Sequence, residues 1–367
     1  MQLGLSESLS SLVSRRFVAA RDAGHLIFSS THLATVHTSS IPVTKPPPSI
    51  PAPHTHYTYV LSVTYQVRYC PALAKKPTGA PKPDKAPSGP KPDPFQDPSP
   101  DLLLAQIPRE NPSHVLVLNK FPVIPNHFIL ATKAWQSQTD LLDKEDLEAA
   151  YACIKAWAEG SGPEGQGSKK LFAFFNSGDE SGASQPHRHL QFLPVEAMAQ
   201  GDSQNWQPLI DVVARQPTSS GTGYQHLAQV PFAHFARPLP PNPSSETLHQ
   251  IYLSLYRAAV ATAKGGLSDA GQITGPAAIS YNLAMTETTM MICPRRSESA
   301  RITVDSTAAG DVAEAGVVAL NGTVLAGTLM VKAEAEWDEL RRNPTSLHNV
   351  LAAIGYPQPD AREVSLL

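Results

Sequence analysis

The sequence has few cysteines and little net charge of either sign. Its three cysteines, Cys70, Cys153 and Cys293, lie far apart, and the lack of any CxxC pair argues against a structural zinc ribbon. Their odd number fits a reducing compartment better than a disulfide scaffold. The formal charge of −3 provides no basic field for nucleic acid, so an anionic substrate would have to be held by a local site.

Long apolar runs are also missing. No run reaches the roughly 20 residues that a membrane-spanning helix needs, and the N-terminus lacks the short apolar core of a signal peptide. Arg15, Arg16 and Arg21 lie near the N-terminus, but Glu7 and Asp22 weigh against a mitochondrial leader. We expect a soluble, monomeric cytoplasmic protein, compatible with an additional nuclear location, that binds neither nucleic acid nor membrane.

Proline, by contrast, is abundant in one zone. Sixteen of the 35 prolines lie between residues 41 and 100, which argues against regular core structure there. Residues 77–100 are polar and lysine-rich, and we interpret them as a flexible loop. Residues 43–64 are proline-rich and then abruptly apolar. We expect Val43–Thr64 to lie outside the core.

The remaining patterns predict a mixed α+β protein with a largely antiparallel sheet and flanking helices, since strands and helices come in clumps. Apolar runs predict strands within 113–133, 169–178, 187–195 and 278–295 and a short one at 25–30. Amphipathic patterns predict helices within 5–24, 140–160 and 244–263, and two closing helices broken at Pro344. We divide the chain into an N-terminal helix and strand at 1–42, the insertion 43–64, a core 65–195, a variable insertion 196–245, and a C-terminal part 246–357.

The stretch "NSGDESGASQPHRHLQFLP" carries the chemistry. In a strand, alternate side chains share a face, so His187, His189 and Gln191 would project together. The glycine- and serine-rich loop before them offers backbone N–H groups and hydroxyls that can cradle a phosphate. A neutral imidazole beside a bound phosphate is a competent nucleophile. A zinc site and a coincidental HxH pair remain alternatives, although no matching Cys/His pair has the usual zinc spacing.

These residues resemble the histidine-triad superfamily, in the branch whose third histidine is glutamine. That branch includes galactose-1-phosphate uridylyltransferases and the ATP adenylyltransferases, also called diadenosine tetraphosphate phosphorylases. Further segments are similar to the fungal phosphorylases and occur in the same order: "RYCPALAKKPTG", "LVLNKFPVIPNHFILATK", "YNLAMTETTMMICPRR" and "AGTLMVKAEAEWDEL". The resemblance covers most of residues 65–357 and part of 1–42, and implies a histidine-triad-like fold with a catalytic core at 65–195 and a C-terminal part, 246–357, that completes the nucleotide site. It runs from residue 42 directly into residue 65, so Val43–Thr64 intrude. Because every valine codon begins with GT, as an intron does, we interpret this segment as a retained intron or a disordered insertion.

The resemblance implies that diadenosine tetraphosphate (Ap4A) and phosphate are converted to ATP and ADP. His189 would be the nucleophile that forms an adenylyl–histidine intermediate, and His187 would orient it. Gln191 would hydrogen-bond the transferred phosphoryl group without shuttling a proton. Two alternatives are a uridylyltransferase-like or hydrolytic enzyme and a nucleotide-binding protein without catalysis. ADP sulfurylase activity could accompany the main reaction.

The resemblance also implies a set of substrate-binding residues. Lys120, beside Asn119, would supply positive charge to the polyphosphate, and Lys76 would reach its far phosphates, with Lys75 as the competing candidate. Asn176, Ser181, Gly182, Ala183 and Ser184 would line the phosphate cradle. The later hairpin would contact the nucleotide through Asn282, Met291 and Arg295. A divalent cation, expected to be Mg²⁺, would accompany the polyphosphate without dedicated protein ligands, and no organic cofactor is implied.

Overall fold

The computed structural model describes residues 1–39, 62–75, 93–160, 169–199, 203, 206–219, 223–266, 273–305 and 312–358. Within these residues the fold is α+β, as the sequence predicts. The strands are β1 His32–Ser39, β2 Ser62–Tyr69, β3 Leu103–Ile107, β4 His114–Leu118, β5 Phe128–Thr132, β6 Leu171–Ser177, β7 His189–Pro194, β8 Phe235–Pro238, β9 Tyr281–Met285, β10 Thr289–Pro294, β11 Ser299–Asp305, β12 Val312–Ala319 and β13 Thr328–Val331. The helices are α1 Leu9–Asp22, α2 Lys144–Glu159, α3 Val195–Met198, α4 Leu209–Val213, α5 Ser245–Ala263, α6 Glu334–Arg342 and α7 Pro344–Ile354.

Eight strands form the central sheet in the order β3-β4-β5-β7-β6-β9-β10-β8, and each neighbouring pair is antiparallel. A smaller sheet joins β1 and β2 antiparallel, with β13 parallel to β2. The hairpin of β11 and β12 stands beside them. This topology places β7, which carries the histidine motif, inside the central sheet between β5 and β6.

Two apolar layers cover the central sheet. On one face α1, α2 and α5 bury an amphipathic stripe that includes Val13, Trp157 and Tyr252. On the other face the smaller sheet, α4 and α7 enclose a second cluster that includes Phe174 and Leu347. The second cluster reaches β6, while a third and smaller cluster around Phe95 covers the same face of β4 and β5. Strands β4, β5 and β6 are therefore buried along their full length.

The helix starts follow from capping chemistry. The Ser8 side chain accepts a hydrogen bond from the Ser11 N–H at the start of α1, and Ser244 caps α5 through the Thr247 N–H. Asp143 and Asp146 form a capping box at the start of α2. The predicted closing helices are confirmed as α6 and α7, with Pro344 at the first position of α7, where its missing N–H costs nothing.

Three predictions from local composition are wrong in part. Residues 25–30 form no strand. Ser62–Thr64, which we assigned to the insertion outside the core, are the first residues of β2, and Val63 is 3% exposed; the rest of the insertion, 43–61, lies outside the described residues. Within the predicted flexible loop 77–100, only 93–100 are described, and there Phe95 is buried.

The variable insertion predicted for 196–245 also differs from the structure. Its described part contributes α4 and β8, and β8 pairs with β10 as an edge of the central sheet. Trp206, Leu209 and Phe232 are buried in the second apolar cluster. These residues therefore belong to the core.

Candidate active site

His189 opens β7 and is buried, with 3% of its surface exposed. Its Nδ1 lies 2.8 Å from the main-chain oxygen of His187, which can only accept, so Nδ1 carries the proton and Nε2 keeps its lone pair. Burial lowers the pKa of His189 to about 4, and the neighbouring His187 adds to this effect; the hydrogen bond to the His187 carbonyl and the charge of Asp93 oppose it. The ring is therefore neutral near pH 7, as a nitrogen nucleophile must be.

Gln138, which sequence reasoning missed, forms hydrogen bonds with the main chain of His189. Its Oε1 accepts a hydrogen bond from the His189 N–H at 2.7 Å, and its Nε2 donates to the carbonyls of His189 and Asn176. The side chain thereby replaces a missing strand partner and joins the ends of β6 and β7. These hydrogen bonds fix the backbone that carries the nucleophile.

His187 lies just before β7 and is fully buried. Its Nδ1 is 2.6 Å from Asp93 Oδ2, and its Nε2 is 2.9 Å from Thr132 Oγ1. Both ring nitrogens are therefore engaged inside the protein, and the ring is absent from the linings of the clefts described below. The Phe95 ring contacts both histidine rings, so His187 lies on the same side as His189, as predicted, but it is enclosed and lines neither cleft.

Gln191 lies next to a histidine that sequence reasoning did not single out. Gln191 Oε1 is 3.1 Å from His127 Nε2, and Asn119 Nδ2 is 3.2 Å from His127 Nδ1. The three side chains form a polar row across β7, β5 and the end of β4. Asn119 also ends β4 by accepting the Phe121 N–H through its Oδ1. This row holds the Gln191 amide in place at the cleft.

The back of β7 carries a buried ionic cluster. Arg188 Nη1 is 2.8 Å from both Asp143 and Asp146, and Asp146 is 3.0 Å from His114 Nε2. Burial by itself would raise the pKa of Asp146, but the hydrogen bond with His114 and the charge of Arg188 outweigh it and lower this pKa. The cluster ties α2 to the motif strand from the face opposite to His189.

Two neighbouring clefts meet at the motif. The larger, of about 990 Å³, is lined by His189, Lys120 and the turn that contains Phe95. The smaller, of about 350 Å³, is lined by His127, Gly182, Lys332 and part of β12. Four residues line both clefts: Asn119, Phe121, Ser184 and Gln191. An elongated ligand could therefore span both clefts across the motif.

The glycine- and serine-rich loop reaches this junction. Gly182 has φ +77°, and a Cβ there would lie 2.8 Å from Leu320 O and from the Cβ of Asn321, so the close approach requires glycine. Ser184 is exposed and faces both clefts. Ser181 is instead buried, with its hydroxyl on the Gly178 carbonyl, and Ala183 is half-buried and lines neither cleft. Of the four predicted loop residues, only Gly182 and Ser184 therefore line a cleft.

The predicted contacts of the later hairpin differ from the structure. Asn282, Met291 and Arg295 are buried and line neither cleft. Met291 packs in the second apolar cluster. Arg295 donates to Asn282 Oδ1 and to main-chain carbonyls of Ser297, Leu320 and Ile354, so its guanidinium holds the fold together.

Asn176 belongs to the same buried network. Its Oδ1 accepts from Asn282 Nδ2 and from the Gly322 N–H, which places the turn at Asn321 beside the cradle. Asn176 thus supports the site from behind and does not line it. Of the predicted lysines, Lys120 is exposed in the larger cleft, whereas Lys76 and the side chain of Lys75 lie outside what the structure describes.

Two family models match this chain: the Ap4A phosphorylase N-terminal domain at residues 51–213 and the ATP adenylyltransferase C-terminal domain at 228–357. Protein APA1 of Saccharomyces cerevisiae is 26% identical, over 98% of each chain. Diadenosine 5',5'''-P1,P4-tetraphosphate phosphorylase 2 of the same yeast is 25% identical, over 96% of each chain. The crystal structure of yeast Ap4A phosphorylase Apa2 in complex with Ap4A shares the fold, with a TM-score of 0.71, 23% identity and coverage of 97% of this chain and 99% of that one.

The matched domains, together with the fold, define a nucleotidyltransferase. The chain belongs to the family of fungal-type Ap4A phosphorylases, in which our sequence resemblance placed it. The match of the N-terminal domain begins at residue 51, inside the segment that we interpreted as a retained intron. The interpretation of Val43–Thr64 as a retained intron or a disordered insertion stays a prediction, except that Ser62–Thr64 pair with β1 in the structure.

Proposed function

We propose that this protein cleaves Ap4A with inorganic phosphate to ATP and ADP through an adenylyl intermediate on Nε2 of His189. One observation carries the choice of nucleophile. His189 donates its Nδ1 proton to the His187 carbonyl, so the lone pair is on Nε2 of a ring that lines the larger cleft. Its relatives among the curated proteins, one of them an Ap4A phosphorylase by name, supply the substrate class.

The reaction proceeds in two displacements. The Nε2 lone pair attacks an α-phosphorus, the P–O bond to the bridging oxygen breaks, and ATP leaves with the electron pair. A phosphate oxygen then attacks the adenylyl phosphorus and the N–P bond breaks. The electron pair of that bond returns to Nε2, and ADP is released. Two inversions at phosphorus give net retention, and the covalent intermediate gives ping-pong kinetics.

The residues at the junction of the clefts bind the polyphosphate. Lys120 is exposed in the larger cleft and supplies a positive charge as charge shifts between phosphate oxygens. The Gln191 amide, held beside His127, hydrogen-bonds the transferred phosphoryl group. Ser184 and the main chain at Gly182 contact it from the loop.

We further propose that Mg²⁺ enters with the polyphosphate. In the described part of the chain no three His, Cys, Asp or Glu side chains are grouped so that they could hold a metal ion. Phosphate oxygens would therefore provide most of its ligands, and the cation would supply additional charge neutralisation. We also propose that the protein has ADP sulfurylase activity and is a monomer. Its proposed location is the cytoplasm, with an additional nuclear location.

One assay tests this function against its alternatives. The purified protein is incubated with Ap4A and Mg²⁺, with and without phosphate, and the nucleotides are separated. Equal amounts of ATP and ADP that require phosphate support the phosphorylase. AMP and ATP formed without phosphate indicate hydrolysis, and binding of Ap4A without turnover indicates a nucleotide-binding protein. In a parallel incubation, turnover of a sugar nucleotide but not of Ap4A indicates a uridylyltransferase-like enzyme.

A further inference from the structure

Asp93 lies 94 positions before His187 in the chain, yet its carboxylate is 2.6 Å from the His187 ring. A carboxylate only accepts hydrogen bonds, so His187 Nδ1 carries the proton between them. The other oxygen of Asp93 accepts the Phe95 N–H at 2.9 Å, which closes a turn over the motif. The Phe95 ring is buried and lies 5.8 Å from the His187 ring and 5.0 Å from the His189 ring, centroid to centroid.

A short chain of contacts connects Asp93 to the reacting atom. Asp93 and Thr132 hold the His187 ring at its two nitrogens. The carbonyl of the same residue accepts the Nδ1 proton of His189. Because the ring is held at both nitrogens, the main chain at residue 187 is restrained, and its carbonyl stays where it accepts the Nδ1 proton of His189.

We propose that Asp93 is a positioning residue for adenylyl transfer: it fixes His187, and through the His187 carbonyl the tautomer of His189, and its negative charge offsets the positive charge that His189 acquires. This proposal rests on the proposed function. Asp93 acts through His187 and lines neither cleft.

The charge follows from the bonds that change. When Nε2 forms the N–P bond, the P–O bond breaks and its electron pair leaves with ATP. The Nδ1 proton stays on the ring, hydrogen-bonded to the His187 carbonyl, so the imidazole gains one positive charge. In the second displacement the N–P electron pair returns to Nε2 and the positive charge disappears. A nearby carboxylate therefore favours the first displacement and stabilises the intermediate, but gives no such help to its breakdown.

The test separates the two half-reactions in Asp93→Asn, which keeps a hydrogen-bond acceptor and removes the charge. In a single turnover without phosphate, ATP release should slow by about tenfold or more. Breakdown of the adenylyl-enzyme by added phosphate should be unchanged or faster. Asp93→Glu, which keeps the charge, should lose less of the ATP burst. Asp101→Asn, an equivalent change at an exposed aspartate outside both cleft linings, should behave as the wild type.

Equal slowing of both half-reactions in Asp93→Asn and Asp93→Glu, with a parallel fall in melting temperature, would overturn the proposal in favour of a purely structural turn. A wild-type ATP burst in Asp93→Asn would overturn it as well. Wild-type protein that produces no phosphate-dependent ATP would overturn the proposed function itself, and this outcome is distinct because the variants do not enter into it.

Discussion

The two histidines of the motif are joined through the main chain, since His189 Nδ1 donates to the carbonyl of His187 and not to its ring. A ring-to-ring bond would make the tautomer of His189 depend on the protonation of His187. A carbonyl can only accept, so it fixes the His189 tautomer in every protonation state of the neighbouring ring. The arrangement keeps the nucleophilic nitrogen free of a proton.

Replacement of His189 by Asn should abolish turnover, with a loss of about a thousandfold or more, because the covalent route disappears. Gln138 bonds only the main chain of His189, so the local backbone should persist. Labelled adenylyl-enzyme should be trapped with the wild type and be labile to acid but stable to base. A label that survives acid, or that forms equally in the variant, would contradict the assignment of the nucleophile.

Replacement of Gln191 by His should increase the yield of AMP relative to ADP at limiting phosphate. Glutamine cannot titrate, whereas an imidazole at this position could pass a proton between the leaving group and water. The AMP-to-ADP ratio is measured across a phosphate titration, with the wild type in parallel. An identical ratio in both proteins at every phosphate concentration would show that Gln191 does not restrict hydrolysis.

Gly182 offers a comparison with a matched control. Gly182→Ala should lower the free energy of unfolding and raise the KM for Ap4A, because the new Cβ would meet Leu320 O and Asn321 at 2.8 Å beside the smaller cleft. Gly24 has nearly the same φ, +76°, but no atom within 4 Å of the added Cβ. Gly24→Ala should therefore cost only the conformational strain, about 1 kcal/mol, with an unchanged KM. Urea denaturation and steady-state kinetics check both variants, and equal effects would refute the close-approach argument.

Arg295→Met should destabilise the protein by about 3 kcal/mol or more, since several buried carbonyls would lose their donor at a cost of about 1–3 kcal/mol each. Arg301→Met, at a residue that is exposed and paired only at the surface with Glu314, should cost less than about 0.5 kcal/mol. Urea denaturation gives both values. A stable Arg295→Met protein with a large increase in KM would instead favour the nucleotide contact that the sequence suggested.

The free energy of unfolding should fall as the pH drops from about 6.5 towards 4. Burial lowers the pKa of both His189 and His234 to about 4 in the folded protein, whereas the unfolded chain titrates near 6.5. In this window the unfolded state binds more protons, so stability rises with pH and levels off above about 7. Urea denaturation at pH 7.5, 6 and 5 measures the effect, and a constant free energy across these values would contradict it.

The sequence by itself determined the features that depend on local periodicity. A strand repeats every two residues, so His189 and Gln191 had to share a face once β7 formed, with Leu190 and Phe192 on the opposite, core-facing side. The amphipathic patterns of α1, α2 and α5 and the caps at Ser8 and Ser244 are equally local. Several motifs that occur in the same order as in the fungal phosphorylases were enough to predict the family and its fold.

Tertiary structure alone decided which other residues reach the motif. Asp93 and His127 contact it across 94 and 64 positions of the chain, and Asn282 and Arg295 pair with each other behind the site although both lie in a segment that resembles a nucleotide-binding hairpin. Such contacts depend on how separate strands and turns pack, and no periodicity along the chain records that packing. The same side chain can therefore bind a ligand or hold the core, and only the fold selects between the two.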